Sequence, residues 1–169
     1  VDVEQSVELP LQRGRIIPLE TSDSSLLYDI VSIDQVKDKY FIRSRNKILT
    51  FDTEGNYLYN ISGIGQGNKE YVNLSSFFIK NEELCIYDFN QGRVLVFAPS
   101  GRYLRTEKAV KNSDVECVPQ LIRPYGKNKY IAKNSFNGTP GYVTPALSLL
   151  DEKYTITRTL EGHSLNTGF

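Results

Sequence analysis

Apolar and polar residues alternate along this chain in a pattern that recurs. Lys39-Tyr40-Phe41-Ile42, followed by Lys47-Ile48-Leu49-Thr50-Phe51-Asp52-Thr53-Glu54-Gly55-Asn56-Tyr57-Leu58-Tyr59, makes one copy. Glu83-Leu84-Cys85-Ile86-Tyr87-Asp88, followed by Arg93-Val94-Leu95-Val96-Phe97-Ala98-Pro99-Ser100-Gly101-Arg102-Tyr103-Leu104-Arg105, makes a second. Phe51 and Phe97, Gly55 and Gly101, Tyr57 and Tyr103, and Leu58 and Leu104 are each 46 residues apart. Ile42 and Ile86 are 44 apart, so the second copy gains two residues in the hairpin between its second and third strands. A weaker third copy runs from Lys129-Tyr130-Ile131-Ala132 through a long turn to Ala146-Leu147-Ser148-Leu149-Leu150-Asp151-Glu152-Lys153-Tyr154.

Each copy reads as four short strands bounded by turn residues, in the second over 76–80, 84–88, 93–97 and 103–107. Gly55 and Gly101 sit at matching tight turns, where glycine supplies a positive φ. Nothing between residues 28 and 161 keeps a 3.6-residue apolar period, so a helical domain is excluded. A period near 45 with four strands per unit is the pattern of a β-propeller blade. The predicted fold is therefore all-β, with three four-stranded blades at about 28–62, 74–108 and 118–161. Residues 1–27 form an N-terminal segment with an edge or closing strand over 15–20, and 162–169 form a tail.

Asp88-Phe89-Asn90-Gln91-Gly92-Arg93-Val94-Leu95-Val96-Phe97, followed by Gly101, resembles the repeat of NHL-type propellers. Ile17-Pro18-Leu19-Glu20-Thr21 and Gly63-Ile64-Gly65-Gln66-Gly67-Asn68-Lys69-Glu70-Tyr71 resemble, more closely, six-bladed propeller lipoproteins secreted by Gram-negative gut bacteria. The second stretch is similar to that family's linker between blades one and two, with Asn68-Lys69 where the family has Pro-Gly. The family's hairpin aspartate is present as Asp88 but replaced by Ser44 in the first copy. The resemblance implies an extracytoplasmic address, in periplasm, outer membrane or cell surface, with any export signal upstream of Val1. It also implies that three blades are half of a six-bladed ring. The ends would then be covered by missing blades or by a second half-ring in a homodimer. Ile33, Phe41, Leu49 and Phe51 at one end, and Ile131, Leu147, Leu149 and Ile156 at the other, are the apolar side chains expected to be exposed there.

Charge narrows the function. Twenty Lys and Arg balance twenty Asp and Glu, which argues against a nucleic-acid partner or a polybasic membrane surface. No apolar run reaches the roughly 18–20 residues of a membrane-spanning helix. Cys85 and Cys117 lack the paired spacing of a zinc site, and the one histidine, His163, cannot build a multi-histidine centre. The spacing of Gly63, Gly65 and Gly67 is wrong for a dinucleotide fingerprint and leads into a strand rather than a helix. No metal or cofactor is predicted, and no local motif marks a catalytic set.

Topology indicates where binding would occur. In a blade, the loop joining strands two and three lies on the same face as the linker to the next blade, and long loops on a rigid scaffold carry function. That face gathers Arg43, Arg45, Asn46, Asp88, Asn90, Asn134 and Asn137 as candidate ligand contacts. Gly55, Gly101, Glu70, Tyr71 and Arg93 are assigned structural roles, with Asp88 and Arg93 as a charge-assisted pair across the hairpin. The function read from this is a binding module for a glycan, peptide or protein. The alternative is a propeller lyase or hydrolase working at the central channel.

Overall fold

The computed structural model describes residues 14–109, 119–134 and 146–160. Among these residues, twelve strands form three antiparallel four-stranded sheets, each in simple up-and-down order. Blade one is β1 (Ser32–Val36), β2 (Lys39–Ser44), β3 (Lys47–Asp52) and β4 (Tyr57–Ile61). Blade two is β5 (Ser76–Lys80), β6 (Glu83–Asp88), β7 (Arg93–Phe97) and β8 (Tyr103–Lys108). Blade three is β9 (Pro119–Pro124), β10 (Tyr130–Asn134), β11 (Leu147–Leu150) and β12 (Ile156–Leu160). The first strands β1, β5 and β9 neighbour one another, as the inner strands of a propeller do.

The repeat is physical as well as textual. Ser44 pairs with Lys47, leaving a two-residue loop, whereas Asp88 pairs with Arg93 around four residues, which accounts for the two-residue gain. A bulge falls at Thr50/Phe51, Val96/Phe97 and Leu149/Leu150, late in the third strand of every blade. The turn after it is the same each time: Gly55 N donates to Asp52 O, Gly101 N to Ala98 O, and Tyr154 N to Asp151 O. Gly55 and Gly101 have φ of 92° and 81°, and Tyr154 takes their place in blade three at 63°.

Blade two is buried on both faces, so β6 and β7 are continuous apolar runs rather than alternating ones. Phe77, Leu84, Ile86 and Leu95 pack toward blade one against Phe41 and Ile48. Phe78, Cys85, Tyr87, Val94 and Val96 pack toward blade three against Ile122, Tyr130 and Leu150. Burying a side chain of this size stabilises by about 1.5–3 kcal/mol, so these two interfaces hold the fold.

The expected apolar ends need correcting. Phe41 is buried because it faces blade two. Leu49 and Phe51 do lie on the outer face of blade one, but Leu19, Leu27 and Tyr57 cover them together with Ile42. Ile156 packs against the core between blades two and three. Ile33 is 53% exposed, and Ile131, Leu147 and Leu149 are half-buried. No strand forms over 15–20 either. Pro18 carries no N–H to pair, and the segment instead crosses the first blade's turn, with Glu20 N donating to Gly55 O at 2.8 Å and Tyr57 N donating to the Glu20 carboxylate at 2.9 Å.

Candidate functional site

The loop face is built from one recurring position, the last residue of each blade's second strand: Ser44, Asp88 and Asn134, all buried. In blade two, Asp88 accepts from Val72 N at 2.9 Å and from Gln91 N at 3.4 Å, so it joins the inter-blade linker to its own hairpin. Arg93 Nε lies 4.0 Å from Asp88, and its guanidinium donates to Gly67 O and Glu70 O at 3.0 and 2.6 Å. In blade one the same job is shared. Ser44 Oγ accepts from Tyr28 N and donates to Asp29, whose carboxylate also accepts from Arg45 N at 2.9 Å. In blade three, the Asn134 amide and the Ser148 hydroxyl bond each other at 2.8 and 3.1 Å.

The linker between blades one and two is held just as closely. Tyr71 N donates to Gly63 O and Gly65 N to Tyr71 O, closing it into a parallel bridge between Ile64 and Tyr71. The Glu70 carboxylate accepts from Gly67 N at 3.0 Å and occupies the space a Cβ on Gly65 would need, 2.0 Å away. Any side chain at Gly65 would therefore expel Glu70. The buried Tyr71 hydroxyl donates to Asn46 O and Ile61 O, and burial pushes its pKa up to about 12.

These bonds sort the candidate ligand contacts. Asn46 is occupied: its side-chain oxygen accepts from Leu74 N at 2.8 Å. Arg43 donates to Ser75 O at 2.6 Å and to Arg45 O at 3.2 Å, and burial, then the charge of Arg123, lowers its pKa. Asp88 and Asn134 are buried in the framework described above. Arg45 and Asn90 are exposed at the surface. Asn137 lies outside the described residues, as do His163 and Cys117. Cys85 is a buried free thiol, pushed up to about 12 by burial.

Two residues at this face were not singled out from sequence. Tyr28, 60% exposed, lies under the Arg45 guanidinium at 4.2 Å, with Lys47 Nζ 6.0 Å from the same ring. Asp29 supplies the carboxylate that Ser44 lacks. The signal was the 44-residue offset: Tyr28 and Ser44 match Val72 and Asp88, so residues just before β1 had to serve as blade one's linker.

Fold and face together define a class, a run of three propeller blades whose loop face is fixed by internal hydrogen bonds. The chain belongs to the family described as Domain of unknown function (DUF4934), which matches residues 11–166. Three solved structures are similar to it. A protein of Bacteroides fragilis designated as exported is 18% identical, with a TM-score of 0.70 over 86% of this chain and 41% of its own. A member of the DUF4221 family from Bacteroides vulgatus is 12% identical, with a TM-score of 0.54 over 86% of this chain and 46% of its own. A protein of unknown function from Bacteroides caccae is 14% identical, with a TM-score of 0.50 over 77% and 48%. At such identities the likeness concerns the fold. The chain spans less than half the length of each of these three. No curated protein matches it in sequence.

Proposed function

We propose that this chain is an extracytoplasmic binding module that presents its loop face to a glycan, peptide or protein. The observation that carries the reading is the exposed Tyr28 ring against Arg45 and Lys47 of the hairpin whose backbone Asp29 fixes at Arg45 N. Rigid aromatic and guanidinium groups recur at recognition sites because little conformational entropy is lost when they engage. Asn90, exposed on the four-residue hairpin of blade two, extends the same face. An extracytoplasmic address is supported by the resemblance to secreted propellers and by the similarity to a B. fragilis protein designated as exported.

The open ends fit further blades or a second copy. Ile30, Val31 and Ile33 are more than half exposed beside β1, and Leu121 is exposed on β9. Exposed apolar groups at the ends of a blade stack favour association.

A thermal-shift screen with glycans and peptides tests the reading. The ligand found should lose affinity in Arg45→Ala and Tyr28→Ala while the melting temperature holds. If changes at Asn56 and Arg102, on the opposite face, abolish binding instead, the loop face is not the site.

A further inference from the structure

Between blades two and three lies a cleft of about 540 Å3, lined by turn residues Asn81, Asn128, Glu152, Lys153 and Tyr154 and by Lys80, Glu107 and Lys108 from β5 and β8. Its floor is Lys80, Glu107 and Tyr154. The Tyr154 hydroxyl donates to Glu107 Oε2 at 3.1 Å, and Lys80 Nζ lies 3.7 Å from the same oxygen. The Lys80 ammonium also sits 5.3 Å over the Tyr154 ring and 5.8 Å over Tyr130. Glu107 Oε1 is engaged by Arg105 at 2.8 Å. The carboxylate is thus held on every side, and it anchors the lysine rather than facing the cleft alone.

The backbone here departs from the repeat. Tyr154 stands in a left-handed conformation, φ 63°, at the turn position that Gly55 and Gly101 hold in the other blades. A bulky residue in that region is strained and persists only where the surroundings over-determine it. What it supplies is the buried ring and hydroxyl that place Lys80 and Glu107. Asn81 and Asn128, left-handed at φ 51° and 55° in the two neighbouring turns, both line the cleft, and the Asn128 amide lies 3.5 Å from Glu152 Oε2.

Charge gives the ligand class. The cleft and the smaller cavity of about 190 Å3 that shares Lys80, Asn81 and Asn128 are lined by five lysines against two glutamates, in a chain with no net charge. Lys108 and Lys153 at the rim make no ion pair among the described residues. The lining consists of side chains from the ends of β5 and β8 and from the turns of blades two and three. Ammonium groups beside side-chain amides and a rim carboxylate, Glu152, suit a ligand bearing both carboxylate and hydroxyl groups.

We propose that this cleft between blades two and three binds an acidic saccharide, its carboxylates held by Lys80, Lys108 and Lys153 and its hydroxyls by Asn81 and Asn128. The proposal does not depend on the reading of Tyr28 and Arg45.

Isothermal titration of the whole chain with trigalacturonate, with the neutral galactotriose and with tetraglutamate tests it. Trigalacturonate should bind, more weakly as salt is raised, and galactotriose should not. Lys108→Ala/Lys153→Ala, both at exposed rim positions, should weaken binding by about tenfold or more, the effect of losing a charge-assisted contact. Circular dichroism of that variant should match the parent, so a loss of affinity is not a loss of fold. Arg45→Ala should leave trigalacturonate affinity unchanged. Absence of trigalacturonate binding overturns the proposal, and so does binding that the double variant leaves intact. Tetraglutamate binding as tightly as trigalacturonate would make the cleft a peptide site and equally overturn it.

Discussion

The Tyr71 hydroxyl donates to the Asn46 carbonyl at 2.8 Å, so the linker that leaves blade one is fastened back to the two-residue hairpin of the same blade. One buried phenol thereby fixes both the linker and the loop from which Arg45 projects. Its second bond, to Ile61 O at 3.1 Å, satisfies the end of β4.

Tyr71→Phe keeps the ring and removes the hydroxyl whose one proton lies between the Asn46 and Ile61 carbonyls. It should cost about 1–3 kcal/mol in urea unfolding, the penalty for stranding buried acceptors. A variant as stable as the parent would mean that this linker is not held by Tyr71.

The turn glycines should rank by what a Cβ would meet. At Gly55 it would fall 2.1 Å from the Pro18 carbonyl oxygen, which is backbone; at Gly101, 2.8 Å from the Tyr59 ring; at Gly126, nothing lies within 4 Å. All three have positive φ. Gly55→Ala should therefore lower the melting temperature most and Gly126→Ala least. Gly101→Val should cost about 1–3 kcal/mol. A neutral Gly101→Val would put the repeat register in error.

Arg43→Ala and Arg45→Ala should separate although two residues apart. Arg43 is half-buried on Ser75 O, so its loss should lower the melting temperature, whereas Arg45 is exposed over Tyr28 and its loss should leave stability within about 0.5 kcal/mol. Equal melting temperatures for the two variants would contradict this division.

Burial raises the Tyr71 and Tyr87 phenols from 10.0 to about 12 and raises Tyr154 further. The folded state thus keeps these protons longer than the unfolded state. Their contribution to stability is complete below pH 10 and is lost as pH rises from 10 through 12. Denaturation midpoints should be level to about pH 9 and then fall, more gently in Tyr71→Phe and Tyr87→Phe. A midpoint that stays constant to pH 12 would exclude this linkage. By the same burial, the Cys85 thiol should resist alkylation at pH 8 in the native protein and react on unfolding, as read from the mass of its peptide.

Light scattering across a dilution series tests whether the open ends associate. The outcome expected is a mass above 19.2 kDa that falls on dilution. A monomer at all concentrations that binds no hydrophobic dye would sink the half-ring pairing.

The sequence alone determined the blades. Strand pairing within a blade is local, and each hairpin carries its own turn residues and alternation, so Phe51 and Phe97, or Gly55 and Gly101, could be placed by counting. What counting could not give is what lies against an outer face or around a buried polar atom. Leu19 and Leu27 cover Leu49 and Phe51, and no spacing announces it, because the contact is between a non-repeating segment and a sheet. Asn46, Asp88 and Asn134 read as loop-face polar groups, yet tertiary structure turns them inward, since backbone N–H groups or a neighbouring hydroxyl must be satisfied there. Tyr154 only closed the weaker third copy of the repeat, and the packing of blade three on blade two explains why a tyrosine stands where the other blades have glycine: the ring fills the interface, and its hydroxyl has Glu107 to bond.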